Sequence, residues 1–166
     1  AHKYALGQVE NNQETYNGLF KMIVALLILE RIQFMASFAI TFAICDSGLF
    51  QSIGKAIQKI AQDELEIHVE LDKAVLRHEM KTERGLQQCS GDIRCMIDEV
   101  VELEHTWVDY LFSDGREIVG LNPEILKKWV LFCAKDVYKF MGIESEYKFP
   151  STNPLKYMEN WLDISK

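Results

Sequence analysis

The sequence has very few residues that interrupt a helix. Its three prolines are Pro123, Pro150 and Pro154, so residues 1–122 contain none. Apolar residues recur at intervals of three and four along the chain, whereas no stretch alternates apolar and polar residues for long enough to predict a sheet. The chain is therefore predicted to be all-α.

Cysteine and positive charge are also scarce. The four cysteines form no C-x-x-C pair and are too few for a disulfide scaffold, which favours a reducing, cytoplasmic location. The formal net charge is −7, and no cluster of Lys and Arg is dense enough to bind a row of phosphates. We therefore expect no nucleic-acid partner. The sequence begins with neither Met nor a signal-like segment, and we interpret residues 1–10 as the interior of a longer chain.

The apolar periodicity and the turn residues predict four long helices and a short fifth. We expect them at about 16–45, 52–84, 90–113, 123–142 and 154–161. The clearest start is Asn122-Pro123-Glu124, which has an N-cap, a proline at the first helical position and an acid in the first turn, and Gly142 provides the matching stop. Short turns between long helices predict an antiparallel bundle, or part of one, within a single domain spanning residues 1–166.

The segment from Met22 to Cys45 is apolar enough, and long enough, to span a bilayer. However, Glu30, Arg31 and Gln33 lie near its middle. A charged residue at the centre of an inserted helix costs roughly 2.5 to 3.5 kcal/mol, which offsets much of the gain from the leucines. We therefore interpret the segment as a buried helix of a soluble bundle, with no membrane partner.

Glu30 is the anomaly in this segment, because its helical neighbours are apolar. Leu26, Leu27 and Phe34 lie one turn away and Phe38 lies two turns away. A carboxylate buried there ionised and alone would cost several kcal/mol. Three interpretations remain open: the group is protonated, it pairs with a buried arginine such as Arg31, or it binds a cation.

A second inward carboxylate is predicted in the stretch IAQDELEIH, residues 60–68. Counting at helical spacing places Glu64 and His68 on a stripe that we expect to face the core, together with Ile57, Ile60, Ala61, Ile67, Leu71 and Val75. Glu66 falls instead on a charged, solvent-facing side, together with Lys59, Gln62, Glu70, Lys73 and Arg77. Asp63 lies at the edge of the stripe, where it could orient a neighbouring histidine or tryptophan.

An inward Glu and His one turn apart, with an inward Glu on another helix, is how helical bundles present ligands to a pair of metal ions. The same pattern also fits a polar network in the core with no metal. The residues alone leave both interpretations open.

Four ordered segments carry a resemblance to a known family. They are LLILERIQFMASFA (residues 26–39), IAQDELEIH (60–68), WVDYLFSDGREIVGLNPEIL (107–126) and STNPLKYMENWL (151–162). In order and approximate spacing they resemble the small, radical-generating subunit of class I ribonucleotide reductase. The resemblance extends from about residue 16 to residue 162.

The resemblance implies a ferritin-like helical fold with a dinuclear metal site, usually two irons and sometimes manganese and iron. It assigns Glu30, Glu64 and His68 as metal ligands, and Asp63 as a hydrogen-bond partner of a metal-bound histidine and of a tryptophan on the electron path. It also places Phe34, Phe38 and Ile60 in the apolar pocket around the radical-bearing side chain. The site would activate O2 and generate a stable radical, which the large catalytic subunit uses to reduce ribonucleotides.

Two departures from the family pattern are visible. The family usually separates the second Glu and His by two residues, whereas three lie between Glu64 and His68, and we expect a local π-bulge to absorb the extra one. Moreover, the family's N-terminal half and C-terminal tail have no counterpart here. We therefore predict the C-terminal part of one ferritin-like domain, the second half of the bundle, which is inactive alone. Its expected partners are the missing N-terminal half, a second small subunit in a homodimer and the large subunit.

Two alternatives remain at this point. One is a ferritin-like di-iron oxidase or iron-handling protein, and the other is a helical interaction module without a metal.

Overall fold

The computed structural model describes residues 2–88 and 91–163, and within these ranges the protein is helical and has no strand. The α-helices are α1 (His2–Ala5), α2 (Gln13–Ile28), α3 (Phe34–Asp46), α4 (Gln51–Asp63), α5 (Val69–Glu79), α6 (Glu83–Leu86), α7 (Gly91–Leu111), α8 (Pro123–Met141) and α9 (Tyr157–Leu162). Two π-helical turns, Leu29–Gln33 and Glu64–His68, join α2 to α3 and α4 to α5. Residues 13–46 and 51–79 thus form two long helices, each with one π turn near its middle.

The predicted boundaries of α8 are confirmed in detail. Asn122 Oδ1 accepts a hydrogen bond of 2.9 Å from the backbone N–H of Ile125, and Pro123 occupies the first helical position. Gly142 ends the helix in the left-handed conformation, with φ at 67°, which only glycine adopts without strain. The cap and stop residues were therefore sufficient to position this helix.

The predicted end of the second long helix, near Arg84, is wrong. The helix ends at Glu79, and the chain turns before the short helix α6 begins at Glu83. Thr82 causes this break. Its hydroxyl donates to the Glu79 carbonyl at 2.7 Å and accepts from the Gly85 N–H at 3.0 Å, so the same side chain closes one turn and caps the next helix.

The last helix begins later than predicted. It starts at Tyr157 rather than at Pro154, because Asn153 Oδ1 accepts from the Leu155 N–H at 2.8 Å and holds the chain in a turn. The predicted start of the third helix at Ser90 lies outside the described residues, and helix α7 is described from Gly91.

The core lies between the first long helix and the α7–α8 hairpin. Helix α2 packs against α5, α7 and α8, whereas α3 packs against α4, α8 and α9. The side chain of Phe42 is fully buried, and its ring stacks on that of Trp161 with 4.8 Å between the centroids. This contact attaches the last described helix to the core, and each such fully buried side chain stabilises the fold by about 1.5–3 kcal/mol.

The first long helix, Gln13–Asp46, is long enough and apolar enough to cross a membrane. In the fold it is the central core helix, with Val24, Leu27, Ile32 and Phe42 fully buried among its neighbours. Its apolar composition is therefore explained by packing against other helices, as the sequence predicted.

The second long helix presents an apolar stripe to solvent, which corrects a prediction. We define the exposed stripe as the five side chains Ile53, Ile60, Ile67, Leu71 and Val75, each between 39% and 60% exposed. Several of them were expected to face the core. The buried residues of this helix are Ala61, as predicted, and also Gly54, Gln58, Gln62, Val69, Asp72 and Leu76, whereas His68, which was expected to face the core, is exposed. A large exposed apolar surface of this kind marks an interaction site.

Candidate metal centre

Both π turns coincide with the predicted ligands. The Phe34 N–H bonds to the Leu29 carbonyl, and the Val69 N–H bonds to the Glu64 carbonyl, which is the five-residue spacing of a π-helix. The π-bulge predicted between Glu64 and His68 is therefore confirmed. The π turn that carries Glu30 was not predicted, because nothing in its local sequence distinguishes it from an α-helix.

The two π turns pack against each other and bring three predicted ligands together. One donor atom from each of Glu30, Glu64 and His68 can be chosen so that all three lie within 4.8 Å of one another. His68 Nδ1 is 2.8 Å from Glu64 Oε2 and 3.9 Å from Glu30 Oε1. The glutamate side chains are 11% and 12% exposed, while that of His68 is 50% exposed. The group is thus closed on the core side and open on the side of the exposed stripe.

The charge of Glu30 is not balanced by an arginine. Arg31, the predicted alternative partner, pairs instead with Asp136 on α8. Burial raises the pKa of the Glu30 carboxyl group to about 7, and the nearby Asp72 and Glu64 carboxylates add to the effect. The hydrogen bond and charge of Glu64 raise the pKa of His68. Of the three open interpretations for Glu30, a proton or a cation remains.

The donor set fits a divalent metal ion. Glu30 Oε2 is buried and has no hydrogen-bond partner among the described residues. Buried polar atoms are normally satisfied, so this atom indicates a missing ligand or proton. Two carboxylates and an imidazole suit iron, manganese or zinc.

The other predicted site residues do not form a comparable cluster with the three predicted ligands. Phe34 and Phe38 are half-buried neighbours with ring centroids 6.3 Å apart, but Ile60 is 52% exposed and is not enclosed within the described chain. Asp63 is exposed, and its side chain makes no hydrogen bond to His68. Glu66 is exposed as predicted. The roles assigned to Asp63 and to the apolar pocket remain predictions.

Two residues on the second long helix are polar and buried, which the sequence did not predict. Gln62, assigned to the solvent side, is buried, and its amide donates to the Asp163 carbonyl at 3.0 Å. Asp72, which was not considered, is buried beside Glu30, and this burial raises the pKa of its carboxyl group. Its position four residues after His68 was the available signal, because that spacing returns to the same side of a helix.

The Glu30 site predicts that the metal-free chain loses stability as the pH rises. Its pKa in the folded chain lies above its ordinary value of 4.5, so ionisation is more costly in the fold than in the unfolded chain. The penalty is absent below about pH 4.5 and complete above about pH 7. The raised pKa of Asp72 acts in the same direction, and so does that of His68, whose stabilising charge is lost as the pH rises.

We therefore expect Glu30→Gln to stabilise the metal-free chain by about 1–3 kcal/mol at pH ~8, and to have little effect near pH ~4.5. Urea unfolding at the two pH values measures the difference. Glu66→Gln, an exposed change in the same region, serves as the control and should alter neither value. Equal stability of Glu30→Gln and wild type at the higher pH would contradict the prediction.

Comparison with known proteins places this geometry in a family. Residues 2–154 match the family described as ribonucleotide reductase, small chain. The chain is 29% identical over 150 residues to the ribonucleoside-diphosphate reductase subunit beta of Buchnera aphidicola, covering 87% of this chain and 39% of that protein. It is 27% identical over 160 residues to subunit beta of ribonucleoside-diphosphate reductase 1 from Salmonella typhimurium, covering 93% of this chain and 42% of the relative.

The fold has a counterpart among solved structures. A putative class I ribonucleotide reductase from Bacillus halodurans superposes with a TM-score of 0.69 at 23% identity, covering 92% of this chain and 53% of that one. This likeness supports the predicted all-α, ferritin-like fold. The chain spans about two fifths of the length of the curated relatives it matches. Since the family match covers most of its residues, the chain belongs to the ribonucleotide reductase small-chain family.

Proposed function

We propose that this chain contributes half of the ligands of a dinuclear metal site in the small subunit of a ribonucleotide reductase. The observation that carries the proposal is the convergence of Glu30, Glu64 and His68 on two adjacent π turns, in a chain of that family. In such a subunit the metal pair, two irons or manganese and iron, activates O2 and generates the radical that starts ribonucleotide reduction.

The residues of this chain would hold and shield that site. Glu30 and Glu64 supply negative charge that neutralises a divalent cation, and His68 supplies a neutral nitrogen donor. His68 Nδ1 and Glu64 Oε2 lie 2.8 Å apart in the metal-free chain, so these two donor atoms are already adjacent before a cation binds. Asp63 would accept a hydrogen bond from a histidine contributed by the rest of the subunit, and Phe34, Phe38 and Ile60 would exclude water from the radical-bearing side chain.

The proposed partners would supply the ligands that this chain lacks and cover the apolar side chains that it exposes. The remainder of the small subunit, its N-terminal half, would cover the exposed stripe and supply the other ligands. The exposure of His68 on that side supports this arrangement, because a metal site formed by two halves must be open on the face that meets the other half. The assembled subunit would form a homodimer and deliver its oxidising equivalent to a large catalytic subunit in the cytoplasm, with no nucleic acid or membrane involved.

Three alanine variants test the ligand assignment in the assembled small subunit. We expect Glu64→Ala and His68→Ala to lower metal affinity at least tenfold, because each removes a donor atom, as even changes beyond the ligands themselves lower affinity about 10–100-fold. Glu66→Ala should bind as wild type, since that side chain is exposed. Bound iron is measured after dialysis against a chelator. Equal loss in all three variants, or in none, would overturn the assignment.

A second measurement separates the radical-generating function from that of a ferritin-like oxidase or iron-handling protein. After exposure of the reduced, iron-loaded assembly to O2, electron paramagnetic resonance should detect a stable organic radical. Iron oxidation without such a radical would instead favour the oxidase.

A further inference from the structure

The Asp72 carboxylate also lies beside Glu30, and Asp72 is not one of the three predicted ligands. Asp72 lies on α5, four residues after His68, and is 7% exposed, while Glu30 is 8% exposed. The two carboxyl groups are close enough to share a hydrogen bond when one of them carries a proton. Glu30 therefore has neighbours on two sides. Glu64 and His68 lie on one side, and Asp72 lies on the other.

Neither carboxylate has a lysine or arginine partner within the described ranges that would explain its burial. Glu30 Oε2 and Asp72 Oδ2 are both inaccessible to solvent and make no hydrogen bond to any described residue. The basic residues next to them in the chain pair with other carboxylates, since Arg31 pairs with Asp136, and both Lys73 and Arg77 pair with Glu70. His68 lies 3.9 Å from Glu30 Oε1 but makes its shorter contact, 2.8 Å, with Glu64. Buried charges are normally paired or coordinated to metals. Two buried carboxylates in contact, with no described lysine or arginine beside them and only the half-exposed His68 nearby, thus form an incomplete arrangement.

We propose that Asp72 is a fourth metal ligand of this chain, and that Glu30 and Asp72 together bind a divalent cation that prefers oxygen donors, such as Mn²⁺ or Fe²⁺. The inference rests on the proposed function for the position of the site and adds a ligand to it. With Asp72 included, this chain alone offers three carboxylates and one imidazole. We therefore expect the chain to bind one cation at Glu30 and Asp72 without the rest of the subunit.

Binding of Mn²⁺ to the purified 166-residue chain tests the proposal. The free ion is followed by its electron paramagnetic resonance signal during titration. We expect Asp72→Asn, which keeps the shape and removes the charge, to weaken Mn²⁺ binding at least tenfold. The control Glu66→Gln also removes one negative charge, but from an exposed position in the second π turn, and should bind as wild type.

A stability measurement distinguishes a ligand from a structural residue. Asp72→Asn removes the repulsion between two buried carboxylates, so the metal-free variant should melt at the same temperature as wild type or higher. Addition of Mn²⁺ should raise the melting temperature of wild type and raise that of the variant much less. A variant that melts lower without metal, and loses Mn²⁺ binding together with its fold, would overturn the proposal.

Two further outcomes separate this inference from the proposed function. If Asp72→Asn binds Mn²⁺ as wild type while His68→Ala does not, Asp72 is no ligand, and the assignment of Glu30, Glu64 and His68 stands. If the wild-type chain binds no Mn²⁺, the inference fails, whereas the proposed function is still decided by iron binding in the assembled subunit.

Discussion

Under the proposed function, replacing Ile67 and Leu71 by glutamate will abolish binding of this chain to the proposed N-terminal half of the small subunit, while the chain itself stays folded. These side chains of the exposed stripe are 57% and 60% exposed, so the fold loses little when they change. In the assembled subunit, however, two unpaired carboxylates would have to enter an apolar contact, and each buried charge without a partner costs several kcal/mol. The affinity between the two parts should therefore fall beyond detection.

Copurification of the two parts, followed by calorimetric titration, measures this effect. The melting temperature of the isolated double variant should stay within a few degrees of wild type. Leu103→Glu is a suitable control, because Leu103 is 61% exposed but lies on helix α7 rather than on the stripe. If the double variant binds as tightly as the control, the stripe is not the surface that the rest of the subunit covers.

Phe42→Ala will cause a large loss of stability. Phe42 is fully buried, stacks on Trp161 at 4.8 Å and lies 6.0 Å from the ring of Phe38. Truncation of a buried phenylalanine leaves a cavity and costs about 3–5 kcal/mol. The attachment of helix α9 should weaken as well, because Trp161 loses the ring on which it stacks.

Urea unfolding of the isolated chain, followed by circular dichroism, measures the change. Phe50→Ala provides the matched control, since the Phe50 ring is 67% exposed and its removal leaves no cavity. We expect that control to remain within about 0.5 kcal/mol of wild type. A loss of similar size in both variants would show that the Phe42 contact contributes little beyond general hydrophobicity.

The sequence predicted helices well where a specific residue controls the backbone. Asn122 and Gly142 delimit α8, because one satisfies free N–H groups and the other accepts a left-handed conformation. The end of the second long helix was misplaced because Thr82 bonds to groups on both sides of it, and such a double role is visible only once the chain is folded. Local sequence thus predicted where a helix begins or ends at a single capping residue, but not where one side chain bonds to two neighbouring turns.

The orientation of the second long helix could not be derived from periodicity alone. A row of isoleucine, leucine and valine has the same spacing whether it packs inside its own chain or against another part of a protein. We assumed the first case, whereas Ile60, Ile67 and Leu71 are exposed in this chain. The three predicted ligands nevertheless lie close together, because the requirement for a compensated Glu30 does not depend on which side of the helix is covered.

The turn Glu64–His68 has one residue more than the family's usual Glu-x-x-His spacing, and this residue affects the site without affecting the packing of the helix. If one residue of this turn is left out of the count, Gly54, Gln58, Ala61, Val69 and Leu76 follow one uninterrupted three-and-four rhythm. The helices on either side therefore keep the same rotational phase whether the turn contains five residues or four. Insertion or deletion here would alter the distance between carboxylate and imidazole while sparing the core, so natural variation can adjust the coordination sphere independently of folding.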